Sequence, residues 1–177
     1  MAQQRLTGIY VGIDAGDSYA PSSCDGLPGG ISCGTNATAV RGRVGVQVNP
    51  FWAAELSYTD FGSFNASGVY QGTPFNSQAR AYGFELAGVG TLPINPSFAL
   101  TGRLGIASTE LDEGGYGSFG SVNSTTTTLA AGVGLKYNLS RQAAVHLNYD
   151  YYGNIGDSAT TGTSSLSALT VGLTFLF

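Results

Sequence analysis

Charge is what this chain has least of. Asp, Glu, Lys and Arg make up 10% of its 177 residues, against about a quarter in ordinary soluble domains. Lysine is all but missing, Lys136 standing alone. So little charge excludes the solvated shell of a typical soluble domain. No stretch of eighteen apolar residues occurs either, which excludes a transmembrane helix. Histidine occurs once, as His146, and cysteine twice. These are too few for a clustered metal site, so no metal and no cofactor is expected. Serine is plentiful, but one histidine with no nucleophile and orienting acid around it makes no catalytic constellation. A net charge of −4 argues against nucleic acid as a partner. Met1-Ala2-Gln3-Gln4 carries no apolar signal core.

What the chain has instead is glycine (27 residues), tyrosine (10) and phenylalanine (9), arranged with a period of two. The last nine residues show it best. Leu169, Val171, Leu173, Phe175 and Phe177 fall on one face of a strand, and Thr170, Gly172, Thr174 and Leu176 on the other. Alone, this stripe fits either the last core strand of a soluble sandwich or a strand facing lipid. Seven more segments repeat it: Thr7–Ala15, Ala39–Val48, Phe51–Asp60, Arg80–Leu92, Ser97–Ser108, Thr126–Asn138 and Ala143–Tyr152.

Charge decides which way round the sheet is. In these segments Asp14, Arg41, Arg43, Glu55, Glu85, Arg103, Lys136 and Asp150, with His146, all share the face opposite the apolar one. A soluble barrel such as a lipocalin would put charge toward solvent and apolar residues in the core. The separation predicts the reverse, with lipid outside and a polar interior. The fold class expected is therefore all-β: an eight-stranded, antiparallel, up-and-down transmembrane β-barrel occupying residues 1–177 as one domain.

The connections alternate in length. Val48–Phe51, Leu92–Ser97 and Asn138–Gln142 are tight and hold Asn, Pro or Ser as turn formers. Residues 16–38, 61–79, 109–125 and 153–166 are expected to be long loops, rich in Gly, Ser, Thr and Asn. Short periplasmic turns and long extracellular loops are the pattern of outer-membrane barrels. Aromatics fall near both ends of the apolar faces: Trp52, Phe98, Tyr137, Phe175 and Phe177 by the short turns, and Tyr58, Tyr82, Tyr149 and Tyr151 toward the loops. These are the expected interfacial girdles.

Two further groups have two readings each. The inward charges are either a structural set of ion pairs in a lumen only just wide enough for side chains, or a narrow gated ion path. The acidic residues Asp17, Asp25, Asp60, Glu110, Asp112, Glu113 and Asp157 are expected in the loops. There they form a solvated rim or a surface for a basic extracellular partner. Arg41 and Arg80 are expected near the outer rim, within reach of lipopolysaccharide phosphates. His146 is expected as a packed interior histidine near an acid. Cys24 and Cys33 lie in a Gly/Ser/Pro-rich stretch, where a disulfide would staple one loop and imply an oxidising compartment.

A family resemblance rests on specific stretches. Gly45-Val46-Gln47-Val48-Asn49-Pro50-Phe51, followed by Glu55, Tyr58 and Gly62, resembles the second and third strands of the OmpA transmembrane domain. So does Leu92-Pro93-Ile94 leading to Thr101-Gly102-Arg103-Leu104-Gly105. Tyr149 to Asp157, then Gly162-Thr163, is similar to its seventh strand and last loop. Gly172-Leu173-Thr174-Phe175-Leu176-Phe177 is similar to the C-terminal signal read by the barrel-assembly machinery.

The resemblance implies an integral Gram-negative outer-membrane protein with extracellular loops, surrounded by outer-membrane lipid and lipopolysaccharide. It implies a monomer with a structural or surface-interaction role; a small low-conductance pore is the alternative. Many members carry a following peptidoglycan-binding domain, absent from these 177 residues. Two departures stand out: Lys136 and His146 occupy interior positions where the family often has an acid and a base, and the cysteine pair is outside the usual pattern.

Overall fold

The computed structural model describes residues 8–21, 31–70, 73–115, 122–155 and 164–177. Among the described residues nine strands follow one another: β1 (Gly8–Tyr19), β2 (Ile31–Cys33), β3 (Asn36–Asn49), β4 (Trp52–Tyr70), β5 (Thr73–Pro93), β6 (Phe98–Gly115), β7 (Val122–Asn138), β8 (Ala143–Ile155) and β9 (Ser164–Leu176). Eight of them form a ring in the order β1-β3-β4-β5-β6-β7-β8-β9, every neighbour antiparallel. The ring closes where β9 pairs with β1, from Tyr10↔Leu176 to Tyr19↔Ser167. Closure satisfies every strand edge, which a sheet in lipid requires.

The three short turns are closed by side chains. Asn49 Oδ1 accepts from the amides of Phe51 and Trp52 at 2.8 and 2.9 Å. Asn95 Oδ1 does the same for Ser97 and Phe98 at 2.9 and 2.8 Å. Ser140 Oγ accepts from Gln142 and Ala143 at 3.2 and 3.0 Å. Each turn thus carries its own small acceptor, placed where the chain reverses.

The opposite end departs from the expected loops. The stretch 61–79 is largely a hairpin, β4 and β5 remaining paired out to Tyr70↔Thr73. The stretch 16–38 holds the short strand β2, which lies on the far end of β4 (Ile31↔Gly68). Asp17, Asp60, Glu110, Asp112 and Glu113 therefore stand in strands and not in loops. Cys24, Asp25, Asp157 and Gly162-Thr163 lie outside the described residues, as does Thr7.

β4 bends at a bulge between Asp60 and Ser63. Gly62 sits there with φ +80°, its amide donating to Asp60 Oδ1 at 2.9 Å. A Cβ would meet the Thr38 carbonyl at 2.5 Å, so only glycine fits. The extra residue shifts the alternation, and Phe61 and Phe64, three apart, both turn inward and are buried.

Exposure runs opposite to that of a soluble protein. Leu129, Leu104 and Ile13 are 70, 66 and 62% exposed, while Asp14 and Arg41 are 1% exposed. Charge does reach the outer face at the loop end, contrary to the sequence expectation. Asp60, Arg80, Glu110 and Asp112 share it with Tyr82, and their cross-strand pairs Asp60↔Tyr82↔Glu110 and Arg80↔Asp112 mark where the apolar band stops.

Candidate functional site: the lumen

Alternation delivers one inward side chain every second residue, so successive layers can be read along each strand. β8 presents His146, Asn148, Asp150 and Tyr152 in order from the turn end to the loop end. At mid-height three arginines meet four carboxylates. Arg41 Nε donates to Asp14 at 2.9 Å and its Nη1 to Asp150 at 2.6 Å. Arg43 lies 3.1 Å from Asp14 and 3.8 Å from Glu55, and donates to Thr174 Oγ1 at 2.8 Å. Arg103 donates to Glu55 at 2.5 Å and lies 3.6 Å from Glu85 and 3.9 Å from Asp150. Charges this deeply buried persist only when paired and hydrogen-bonded, and each arginine here has at least two carboxylates.

Hydroxyls complete the set. Tyr10 donates to Glu55 at 2.8 Å, and Tyr152 and Ser57 donate to Glu85 at 3.3 and 3.4 Å. Sequence reasoning from charge alone passed over Tyr10, Ser57, Tyr152 and Thr174. They share the inward parity of the charges, and that parity was the available signal.

Glycine makes the layer possible. Asp14↔Gly172, Asp150↔Gly132, Asn148↔Gly134, Arg43↔Gly12 and Tyr10↔Gly45 are cross-strand partners. A Cβ on Gly172, Gly132 or Gly45 would fall 1.8, 2.1 or 2.2 Å from the large side chain opposite. Each long polar residue thus leans over a neighbour that has no side chain.

The two ends of the lumen differ. Toward the loop end Phe61, Phe64, Tyr152 and Leu166 form an apolar cluster with Ala20, Ala81, Ala107 and Ala130. Phe61 and Tyr152 meet edge-to-face at 4.8 Å. Toward the turn end the lumen opens into a cavity reaching from the turns to Arg43, Glu55 and Arg103. Lys136 and His146, cross-strand partners, line it.

Some expected groupings are not formed. The described ion pairs join Arg41, Arg43, Arg80 and Arg103 to acids and leave Lys136 out. The register partners of His146 are Lys136 and Gly172, not a carboxylate, because β7 and β9 offer none at that height. Arg41 is inside the barrel and not at its rim, since its parity matches Arg43. Arg80 is at the rim, paired with Asp60.

The aromatics stand on the outer face at both ends. Phe98 and Tyr137 meet at a tilt of 47° with ring centres 4.7 Å apart near the turns, where Trp52, Phe175 and Phe177 are also exposed. Tyr58 contacts Phe84 at 4.9 Å and Tyr82 at 6.5 Å toward the other end, and Tyr149 and Tyr151 are exposed on β8, across the ring from them. No free cysteine stands among the described residues; Cys33 is one of them and Cys24 is not.

Known proteins share this fold. The profile of the OmpA-like transmembrane domain covers residues 4–177. Outer membrane protein A of Serratia marcescens is 30% identical over 182 residues, taking in 99% of this chain and 46% of that protein. Outer membrane protein A of Klebsiella pneumoniae is 30% identical over 138 residues, 75% of this chain and 39% of that protein. The chain thus spans less than half the length of these curated relatives. Among solved structures, the outer membrane protein OprG of Pseudomonas aeruginosa superposes with a TM-score of 0.68 at 15% identity, over 100% of this chain and 99% of that one. Neisserial surface protein A gives 0.66 at 13%, covering 96 and 97%. Ail, the attachment invasion locus protein of Yersinia pestis, gives 0.58 at 18%, covering 97% of each. These likenesses bear on the fold, and with the family match they close the question of kind: the chain belongs to the OmpA-like transmembrane domain family, a barrel integral to the Gram-negative outer membrane.

Proposed function

We propose that residues 1–177 form one non-enzymatic barrel domain that anchors an envelope-integrity and surface-interaction protein. The observation that supports this most is the obstructed lumen. Paired arginines and carboxylates fill its middle, and Phe61, Tyr152 and Leu166 stop its loop end. A barrel filled in this way offers its rigidity and its rim rather than a route. The loop end faces the exterior, where the long β4–β5 hairpin and the acidic rim can meet an extracellular protein. Arg80 reaches lipopolysaccharide phosphates there. The turn end faces the periplasm, and the barrel works as a monomer. The aromatic rings hold both interfaces, Phe175 and Phe177 form part of the signal read by the barrel-assembly machinery, and a Cys24–Cys33 bridge staples the first loop. The interior charges act as the structural core.

A second reading, a small low-conductance pore, draws on the turn-end cavity, which already penetrates to the arginine layer. Single-channel recording in planar bilayers separates the two. The structural reading expects rare or no openings for the wild type, and no change for Arg103→Ala or Glu55→Ala. Frequent wild-type openings that respond to those substitutions would establish the pore instead.

A further inference from the structure

We propose that the turn-end cavity is a binding site for a small tetrahedral oxyanion, of the phosphate or sulfate kind, that enters from the periplasmic mouth. The cavity measures about 80 Å³, several times what one water needs. Four cations and two carboxylates line it: Arg43, Arg103, Lys136 and Arg141 against Glu55 and Asp150. Both carboxylates are already engaged by arginines. Arg43 and Arg103 are themselves held by Asp14, Glu55 and Glu85, so the cavity's unpaired cations are Lys136 and Arg141, inside a chain whose net charge is −4.

Lys136 and Arg141 take part in none of the described ion pairs. Lys136 also lines the wider mouth into which the cavity opens, so it stands at the entrance.

The second observation is independent of charge. Among the described residues, eight buried side-chain atoms have no hydrogen-bond partner. Four belong to residues lining this cavity: Arg43 Nε, His146 Nε2, Asn148 Nδ2, and Arg103 Nη1, which has only the longer ion-pair contacts to Glu85 and Asp150 at 3.6 and 3.9 Å. All four are nitrogens, and three are obligate N–H donors. His146 and Asn148 are 7 and 6% exposed. The unpartnered carboxylate oxygens, on Asp14 and Glu85, belong to residues that do not line it. Buried donors without acceptors are costly. An oxyanion offers several acceptors at once and forms charge-assisted bonds to lysine and arginine. Thr101, Thr174 and Gln47 add neutral polar groups to the same wall. None of this draws on whether the barrel serves as an anchor or a pore.

The test is a titration of the refolded barrel in nanodiscs, at constant ionic strength, with inorganic phosphate, sulfate, chloride and glycerol 3-phosphate. NMR signals of the Asn148 side-chain amide and the His146 ring are followed. The expected result is a saturable shift with phosphate and sulfate and not with chloride. Lys136→Met should weaken it roughly tenfold, the worth of one charge-assisted hydrogen bond. Arg141→Gln, in an exposed turn that tolerates change, should weaken it less, and Arg80→Gln at the other end should leave it unchanged. Should Lys136→Met fail to refold, the Arg141→Gln and Arg80→Gln pair still decides. A phosphate response tighter than that of glycerol 3-phosphate names a free ion as ligand, and the reverse names an esterified phosphate. Absence of a saturable shift, equal shifts with chloride, or a shift indifferent to Lys136 and Arg141 would overturn the proposal and leave a cavity that holds water.

Discussion

The Asp14 carboxylate lies directly over Gly172. The two are cross-strand partners on the β1–β9 seam, and a Cβ on Gly172 would come within 1.8 Å of Asp14 Oδ1 and 2.4 Å of the Ile13 carbonyl. The seam that closes the barrel thus also seats one of its buried charges. Gly172→Ala should destabilise the refolded barrel by about 1–3 kcal/mol, the usual cost of forcing volume into a packed interior. Gly42 faces outward with nothing within 4 Å of its would-be Cβ, so Gly42→Ala should stay within about 0.5 kcal/mol. Urea unfolding midpoints in lipid vesicles compare the two.

The arginine layer makes a second prediction. Arg41 is 1% exposed and holds Asp14 and Asp150 together. Arg41→Met should cost about 3–5 kcal/mol, because it leaves Asp14 only Arg43 at 3.1 Å and Asp150 only Arg103 at 3.9 Å. The triple variant Arg41→Met, Asp14→Asn, Asp150→Asn should recover a large part of that loss, because neutral partners need no counter-charge. A cycle of unfolding free energies reads the coupling; simple additivity would mean that the three do not form a unit.

At the loop end the Asp60–Arg80 pair lies beyond the apolar band. Hydrogen bonding from the Arg80 guanidinium, with help from the Gly62 amide, holds the Asp60 carboxyl below the ordinary aspartate range despite some burial. A depressed folded-state value means that the pair's contribution is present above the unfolded aspartate pKa and lost as pH falls through the folded one. The pair is largely exposed, so that contribution is small and screened by salt. Arg80→Gln should move the Asp60 carboxyl upward toward its ordinary value. Carbon-detected NMR titration of the side-chain carboxyl measures this, and an unmoved value would mean the contact does not persist in solution.

The lipid face makes a fourth. Val171 is 54% exposed in mid-strand on β9. Val171→Arg should cost roughly 2–4 kcal/mol near the bilayer centre, while Val171→Leu should be nearly neutral. Reversible folding into vesicles measures both.

Face assignment was legible in the sequence because a period of two leaves each residue only two choices, and buried charge tolerates only one of them. Asp14, Arg41, Arg43, Glu55, Glu85, Arg103 and Asp150 stand together inside for that reason. Strand length was less legible. Residues 61–79 are polar and glycine-rich, which reads as loop, yet β4 and β5 stay paired because each supplies the other's backbone partners far from the apolar band. The Gly62 bulge also shifts the alternation there, hiding the inward placement of Phe64.

Pairing inside the lumen was not legible. Which arginine meets which acid depends on the strand register and on which glycine lies opposite, both cross-strand properties. Lys136 and His146 share the inward face with the network, but sit one layer nearer the turns, where no carboxylate is in register.

One measurement addresses the inside-out arrangement most directly: methyl NMR of the barrel in nanodiscs containing a spin label on the lipid chain. Along β9 the methyl groups of Leu169, Val171 and Leu173 should broaden strongly, and those of Leu166, Thr170 and Thr174, all buried in the lumen, should remain sharp. Broadening of Thr170 and Thr174 together with Val171, or of none of them, would contradict a barrel that faces lipid with one side of every strand and packs its charges behind the other.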